Sequence, residues 1–391
     1  MSDKNNHAMS PGWRRIKFGD VVRLSKARSQ DPLADGITRY VGLEHLEPGE
    51  LRIRSWGSVA DGVTFTNVFR PGQVLFGKRR AYQRKVAVAE FSGVCSGDIY
   101  VLETKDPQVL RPELLPFICQ TDAFFDHAVG TSAGSLSPRT NWTSLADFEL
   151  LLPPVVQQKR IASTINSALD CELAYEEAHN AAALLFRSAS AELLTPGVGW
   201  REVKLQDLAT VERGKFSHRP RNLPEFFGGP YPFVQTGDIV ASVGDLRGAS
   251  QTLSDEGVKY SKSFPKDSIL ITIAANIGFT AITTRETWCP DSVVGIVPNN
   301  GTDVHFLEYL LRTKQKYFET QIATQTAQKN INLQDLRPLV VEVPDITVQN
   351  EIADNLHKLE LAVSDLELRF FAARKFRFAL ANKCIGTPDV H

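Results

Sequence analysis

Hydrophobic and polar positions follow two patterns along the chain. Short apolar runs bounded by Gly, Pro, Asn and Asp predict strands and turns; examples are VLF, VAVAEF, IYVL, SILITI and VVGIV. Apolar residues at spacings of four and three predict helices, most clearly from Ile352 onward. This alternation is a heptad repeat, which is typical of a helix that packs against another helix.

Both patterns occur twice, in the same order. GWRRIKFGDVVRL, from Gly12, matches GWREVKLQDLATV, from Gly199. Further along, NWTSLADFELLLPPVVQQKRIASTI, from Asn141, matches NLQDLRPLVVEVPDITVQNEIADNL, from Asn332, and aligns Gln158 with Gln349. Matched blocks in one order indicate an internal duplication. The shorter segments PELLPFICQTDAFFDHA and VHFLEYLLRTKQKYFETQI predict a small helix in each copy.

The duplication predicts an α+β fold with two tandem β-rich domains, each followed by a long helix of about 40 residues, or roughly 60 Å. The predicted segments are a flexible N-terminus at 1–11, domain one at 12–152, helix one at 153–196, domain two at 197–343, helix two at 344–386 and a tail at 387–391. We expect the helices to pair as an antiparallel coiled coil with pseudo-two-fold symmetry, because neither could bury its apolar stripe alone.

The contact positions of this helix pair follow from the heptad frame. They are Ile161, Ile165, Phe186, Leu193, Ile352, Leu356, Leu359, Val363, Leu366 and Phe370. Two polar residues, Glu172 and His179, fall in the same frame. A polar core position can fix the register of a coiled coil, but we expect instead that this stretch of the helix is partly exposed.

Composition narrows the class of protein. Apolar residues make up 42% and charged residues 23% of 391, as in globular proteins. No apolar run is long enough for a membrane helix, and the polar start is unlike a signal peptide. Five scattered cysteines without a C-x-x-C pair predict reduced thiols, a cytoplasmic location and no zinc or other metal site. The net charge of -1 is low for a DNA-binding protein, although a local basic patch decides phosphate contact.

Sequence motifs of catalysis are missing. GQVLFGKR, from Gly72, resembles a phosphate-binding loop, but Arg79 replaces the hydroxyl residue that would bind Mg²⁺ and VLF reads as a strand. No carboxylate pair or histidine cluster has a spacing that marks acid–base or metal chemistry. The sequence therefore predicts a non-catalytic chain that binds no cofactor.

Several polar segments are candidates for DNA contact. The segment from Phe76 to Lys85 holds five cations and no acid, and we expect it to be a hairpin loop. Its counterpart, ITIAANIGFTA, has no cation, and its polar candidates are Thr272 and Asn276. Further cations lie in three other segments. Two of them match between the copies, GTSAGSLSPRTNW and ATQTAQKNINL, and the third is VERGKFSHRPRN. The predicted DNA-binding residues are Lys78, Arg79, Arg80, Tyr82, Gln83, Arg84, Lys85, Arg139, Lys215, Arg219, Arg221, Asn276 and Lys329.

With these motifs the chain resembles the specificity subunits of type I restriction-modification systems. LPPVVQQKRIASTI and VPDITVQNEIADNL are similar to the family's Leu-Pro-Pro-Leu-x-x-Gln-x-x-Ile-Ala signature at the start of each conserved helix. Asp345 departs from that signature, as do Asn350 and Glu351 where the first copy has Lys159 and Arg160.

The resemblance implies that each β-rich domain recognises one half of a split target in double-stranded DNA, and that the helices set the spacing between the halves. It also implies two methyltransferase subunits that bring S-adenosylmethionine, and restriction or translocase subunits that use ATP and Mg²⁺. Three alternatives remain. They are the specificity subunit of a type IIB-like system, a self-sufficient nuclease or methyltransferase, and a non-catalytic coiled-coil scaffold.

Overall fold

The computed structural model describes residues 11–242, 244–322 and 330–385. By contacts between its residues the chain divides into two units, Met1–Ala178 with Leu366–His391, and His179–Asp365. This division cuts both long helices, whereas the domain boundaries drawn from the sequence leave them whole. Those boundaries stay a prediction, and the predicted flexible N-terminus and the tail lie outside the described residues except for Pro11.

The first unit contains three small sheets. An antiparallel pair joins Arg14–Lys17 to Glu149–Leu152. One four-stranded sheet has the order Val22–Leu24, Ile99–Thr104, Val74–Gly77 and Val86–Val88. The other has the order Gly57–Ser58, Arg39–Val41, Gly93–Cys95 and Asn67–Phe69. The short α-helices are Phe18–Val21, Leu115–Ile118, Asp122–Gly130 and Trp142–Ala146.

The second unit repeats this strand arrangement. Its antiparallel pair joins Arg201–Lys204 to Val340–Val343. One four-stranded sheet has the order Ala209–Arg213, Val293–Pro298, Ile269–Thr272 and Thr280–Ile282. The other has the order Gln251–Leu253, Phe227–Phe233, Thr287–Cys289 and Lys262–Phe264. The short α-helices are Leu205–Leu208, Thr236–Val240, Val304–Thr313, Gln315–Tyr317 and Leu333–Leu336. Because the order of matched strands is the same in both units, the duplication found in the sequence extends to the fold.

The long helices are Val155–Leu193 and Ile346–Cys384. Each begins shortly after a strand that is followed directly by proline, Pro153 or Pro344, as the sequence predicts. Asp345, which departs from the family signature, caps the second helix, since its Oδ1 accepts hydrogen bonds from the backbone amides of Thr347 at 2.9 Å and Val348 at 3.3 Å. The predicted α+β fold class is therefore confirmed.

Matched glutamines anchor the start of each long helix. Gln158 is fully buried; its Nε2 donates to the carbonyl oxygens of Val109 and Pro153, both at 2.9 Å, and its Oε1 accepts from the amide of Arg111 at 2.9 Å. Gln349, also fully buried, donates to the Pro344 carbonyl at 3.0 Å and accepts from the Asp303 amide at 3.0 Å. The glutamine of the repeated motif thus ties the helix start to the strand before it and to the small helical segment.

In the first unit, the beginning of the first long helix packs antiparallel against the end of the second. Ala162 and Ile165 share one hydrophobic core with Ala381 and Ile385. In the second unit, the end of the first helix and the beginning of the second share a core that includes Leu194 and Ile352. The predicted contact positions are all buried or half-buried within their own unit, namely Ile161, Ile165, Leu366 and Phe370 in the first, and Phe186, Leu193, Ile352, Leu356, Leu359 and Val363 in the second.

Glu172 corrects one expectation from the sequence. Its side chain is buried rather than partly exposed, and its Oε2 accepts a hydrogen bond from Arg377 Nε at 2.6 Å. Arg377 lies on the other long helix, so the heptad pattern of the first helix alone could not reveal it as the partner of Glu172. His179 is half-buried.

Candidate nucleic-acid interface

The basic segment of the first unit is a hairpin tip, as the sequence predicts. Its strands, Val74–Gly77 and Val86–Val88, are antiparallel, with Phe76 opposite Val86. Between them Ala81–Gln83 forms a 3₁₀ turn flanked by Arg80 and Arg84, whose φ angles are 53° and 56°. Left-handed conformations are uncommon for residues other than glycine, so the surrounding contacts must hold this tip in shape.

Those contacts involve most of the predicted cations. Lys85 Nζ donates to the Leu43 carbonyl at 2.7 Å, and Lys78 Nζ lies 4.8 Å from the centre of the Tyr100 ring. Arg84 bonds the carboxylate of Asp122 and lies over the Phe125 ring. Tyr82 is 56% exposed, and Gln83 is half-buried. Contacts with neighbouring residues therefore hold the hairpin tip in place, and it is not a freely solvated loop.

Asp98 joins two of the segments singled out in the sequence. Its Oδ1 accepts from Arg139 Nε at 2.8 Å, and its Oδ2 lies 3.4 Å from Arg79 Nη1. Arg79 Nη2 also donates to Ser137 Oγ at 3.0 Å, and the amide of Arg80 donates to the Pro138 carbonyl at 2.7 Å. The hairpin tip and the segment around Arg139 thus form one surface, which we call the Asp98 cluster (Arg79, Asp98, Ser137 and Arg139).

The arginines keep Asp98 ionised. The hydrogen bond from Arg139 and the charges of Arg139 and Arg79 lower the pKa of Asp98 despite the opposing effect of burial. The cluster therefore carries one fixed negative charge between two guanidinium groups. The side chains of Arg79 and Arg139 are 37% and 49% exposed, so both remain partly accessible at the surface while Asp98 holds them.

The hairpin of the second unit has a different tip on the same strands. Ile269–Thr272 pairs with Thr280–Ile282, and the tip between them exposes Asn276. Thr272, a candidate for DNA contact, is fully buried and its Oγ1 accepts from the amide of Phe279 at 3.0 Å. That part of the prediction is wrong, because the hydroxyl closes the hairpin instead of facing outward. Lys329 lies outside the described residues.

The second unit also gathers arginines around one aspartate. Asp291 follows buried Cys289 much as Asp98 follows buried Cys95. Arg221 Nη2 lies 2.5 Å from Asp291 Oδ2, Arg219 Nη2 lies 4.0 Å from it, and Arg213 donates to its backbone carbonyl. Burial raises the pKa of Asp291, but the hydrogen bond and charge of Arg221 outweigh this effect, so the pKa is lowered.

Each unit therefore holds arginines on an aspartate after the matched strand, but from different segments. In the first unit they come from the hairpin and the segment near Arg139; in the second they come from the segment 213–221. We name the second group the Asp291 cluster (Arg213, Arg219, Arg221 and Asp291). The sequence shows both aspartates at similar places but gives no sign of their partners. Lys215 is exposed and has no ion pair within the described part of the chain.

Other site types find no support in the described residues. Across 11–242, 244–322 and 330–385, no group of three or more His, Cys, Asp or Glu residues could hold a metal ion. None of the helices in these ranges combines the length and the apolar character needed to cross a membrane. The five cysteines are free thiols; Cys95, Cys119 and Cys289 are buried, and Cys171 is exposed.

Part of the chain is similar to a known protein family. Residues 197–368 match the family model described as the type I restriction modification DNA specificity domain. The specificity subunit of type I restriction enzyme EcoDI from Escherichia coli is 27% identical over 156 residues, which is 39% of this chain and 34% of that protein. The specificity subunit of HindI from Haemophilus influenzae is 25% identical over 150 residues, 37% and 32% of the two proteins. The chain spans about a third of the length of the curated relatives it matches.

Solved structures resemble the chain over nearly its whole length. The S subunit of a type I restriction-modification system from M. genitalium has a TM-score of 0.67 at 14% identity, covering 100% of this chain and 99% of that one. A chain solved in work on complex assembly and conformational transition of the type I R-M system has a TM-score of 0.62 at 18% identity, covering 97% and 98%. At these identities the likeness concerns the fold. The resemblance drawn from the sequence is thus confirmed, and it rests on the match of residues 197–368 to the type I restriction modification DNA specificity domain.

Proposed function

We propose that this chain is the DNA-recognition subunit of a type I restriction-modification complex. Each β-rich domain contacts one half of a bipartite target in double-stranded DNA. The single observation that carries the proposal is the repeated scaffold with unlike polar surfaces, the Asp98 cluster on one copy and the Asp291 cluster on the other. A shared frame with different side chains is what two recognition domains with different half-sites require.

The aspartates favour contact with bases over contact with phosphates. An acid beside the arginines weakens their attraction to the DNA backbone, which depends on net positive charge. The same acid holds each guanidinium before DNA arrives, which reduces the side-chain entropy lost on binding. An arginine held in this way can offer two donors to the O6 and N7 atoms of guanine in the major groove.

The long helices have a separate role in the proposal. They set the number of base pairs between the half-sites, and they bind two methyltransferase subunits. Exposed apolar side chains on the helices, among them Leu184, Leu185, Leu368 and Phe376, suit a protein partner. The chain itself is non-catalytic and binds no cofactor. S-adenosylmethionine is bound by the methyltransferase subunits, ATP and Mg²⁺ by restriction or translocase subunits, and the complex acts in the cytoplasm.

The test is to express the chain with the methyltransferase subunits of its operon and map methylated adenines in the DNA of those cells. We expect one bipartite motif that disappears when the gene for this chain is deleted. A motif unchanged by the deletion would refute the proposal. If one partner chain both methylates and cleaves DNA, the type IIB-like alternative is correct. If the purified complex retains no duplex DNA, the scaffold alternative is favoured.

A further inference from the structure

A fully buried arginine on the second long helix contacts the first recognition domain. Arg377 is 0% exposed. Its Nε donates to Glu172 Oε2 at 2.6 Å, its Nη1 to Gln120 Oε1 at 2.6 Å and its Nη2 to the Gly49 carbonyl at 3.0 Å. A buried charge is tolerated only when it is paired and hydrogen-bonded, and all three nitrogens of this guanidinium have an acceptor.

The carbonyl that Arg377 binds belongs to a loop that braces the hairpin tip. Arg374, one turn earlier on the same helix, donates to the Pro48 carbonyl at 3.0 Å. Pro48 in turn forms a β-bridge with Lys85, and the amide of Gly49 lies 3.4 Å from the Arg84 carbonyl. The loop is thus held by the helix on one side and supports the hairpin on the other.

Gly49 fits this close approach for two reasons. Its φ is 76°, in the left-handed region that favours glycine. A Cβ at this position would lie 3.0 Å from Phe378 and 3.1 Å from Arg374 Nη2, so a larger residue would require these side chains or the loop to shift.

A second set of contacts links the long helix to the hairpin tip without involving Arg377. Asn382 Nδ2 donates to Asp122 Oδ2 at 2.8 Å, and Asn382 Oδ1 accepts from the Asp122 amide at 2.8 Å. The carboxylate of Asp122 also bonds Arg84 at the hairpin tip. One face of the second long helix therefore holds the same hairpin at two points.

We propose that Arg377 is a positioning residue for DNA reading by the first domain. The end of the second long helix seats the hairpin tip, and so controls discrimination between bases at the first half-site. This inference rests on the proposed function of the chain. This arrangement is specific to the first unit, since the aligned positions in the second unit are Val363 for Glu172 and Phe186 for Arg377.

This alignment supplies the test variant. Glu172→Val combined with Arg377→Phe installs the side chains of the second unit and removes both buried charges together. Replacing a buried ion pair with apolar residues of similar volume is often tolerated. The variant also leaves Gln120 Oε1 and the Gly49 carbonyl without their donor, so we expect it to fold and assemble with reduced stability. Asn382→Leu cuts the second connection at a half-buried position, and Lys375→Met is the control, because it removes an exposed charge from the same stretch of helix.

The full chain is assembled with its methyltransferase subunits and incubated with a pool of duplexes randomised at both half-sites, and the bound fraction is sequenced. For the double variant and for Asn382→Leu we expect a loss of discrimination of tenfold or more at the first half-site, with the second changed less than twofold. The control should match the unaltered complex at both. Unchanged discrimination at the first half-site in folded Asn382→Leu and in the folded double variant would overturn the inference.

The outcomes separate the two proposals. If the unaltered complex selects no bipartite sequence from the pool, the proposed function fails. If it selects one and the variants select it equally well, only the positioning role fails. Should the double variant not fold, Asn382→Leu decides the question, because its side chain is not part of the buried ion pair.

Discussion

Arg139 Nε donates to Asp98 Oδ1 at 2.8 Å, and this bond joins two segments of the first domain that are far apart in the chain. The same carboxylate faces Arg79 at 3.4 Å. One acid therefore orients two of the side chains proposed to contact bases, and its removal should affect recognition more than folding.

Asp98→Asn should reduce discrimination at the first half-site. Loss of an oriented bidentate contact costs about 1–3 kcal/mol for the cognate base, while the extra positive charge strengthens non-specific binding and its salt dependence. Competition binding of duplexes altered in one half-site measures both effects. Because the pKa of Asp98 is lowered in the folded protein, its carboxylate is ionised across neutral pH, and the difference between variant and wild type should be the same at pH 6 and pH 8.

The matched control for that experiment is Asp61→Asn, which changes the net charge equally at an exposed position of the same unit. It should leave discrimination unchanged. Asp291→Asn should show the mirror result, with discrimination lost at the second half-site only. Equal losses at both half-sites from Asp98→Asn would contradict the assignment of the Asp98 cluster to one half-site.

Replacing both Arg79 and Arg80 with alanine should weaken binding of the assembled complex by about 1–3 kcal/mol per lost base contact. The effect should fall on the half-site read by the first domain, which titrations with duplexes carrying one intact half-site will show. Arg285→Ala, at an exposed position in the second unit, is a control for the loss of one cation. A uniform loss with a shallower salt slope would instead mean phosphate contact.

Gln158→Leu should destabilise the first unit by about 1–3 kcal/mol for each buried backbone group that loses its partner. The substitution leaves buried backbone groups of Val109, Pro153 and Arg111 without their partner, and each unpaired group carries a desolvation penalty. Urea unfolding followed by fluorescence measures the change. Gln157→Leu, at the exposed neighbouring position, should have little effect; a similar loss there would mean that the buried hydrogen bonds are not the cause.

Lengthening the first long helix by one heptad near Ala181, with a matching heptad in the second, should change the spacer of the target. Seven residues add about 10.5 Å of helix, equivalent to roughly three base pairs at 3.4 Å each. Mapping of methylated adenines in cells carrying the altered operon measures the new spacer. An insertion of one heptad in an exposed loop is the control, and an unchanged spacer would remove the proposed role of the helices.

Thiol labelling checks both the fold and partner binding. Burial raises the pKa of the Cys95 thiol to about 12, and burial raises the pKa of Cys119 and Cys289 as well. Because the thiolate is the reactive form, these three should label slowly at pH 8, while exposed Cys171 on the first long helix labels fast. Bound methyltransferase subunits should slow Cys171, as mass spectrometry can show. Fast labelling of Cys95 in the native protein would contradict the buried core.

The sequence by itself determined the duplication, the alternation of β-rich segments with long helices, and the heptad pattern of those helices. These follow from local propensity and from apolar periodicity, which each segment carries in its own residues. The matched glutamines were visible as a repeated motif, but their hydrogen bonds were not, because the acceptors lie on segments such as Val109 that only the fold brings near.

Only the tertiary structure decided which charges pair. Arg79 and Arg139 appear in the sequence as two separate basic segments, and the fold places both on Asp98. In the sequence Glu172 is a polar residue that interrupts an apolar heptad pattern. The fold buries it against Arg377 on the other long helix. The apolar stripe of a helix can be recognised from the spacing of residue types along one segment. An ion pair instead depends on the distance between two particular atoms, and that distance exists only once distant parts of the chain have packed together.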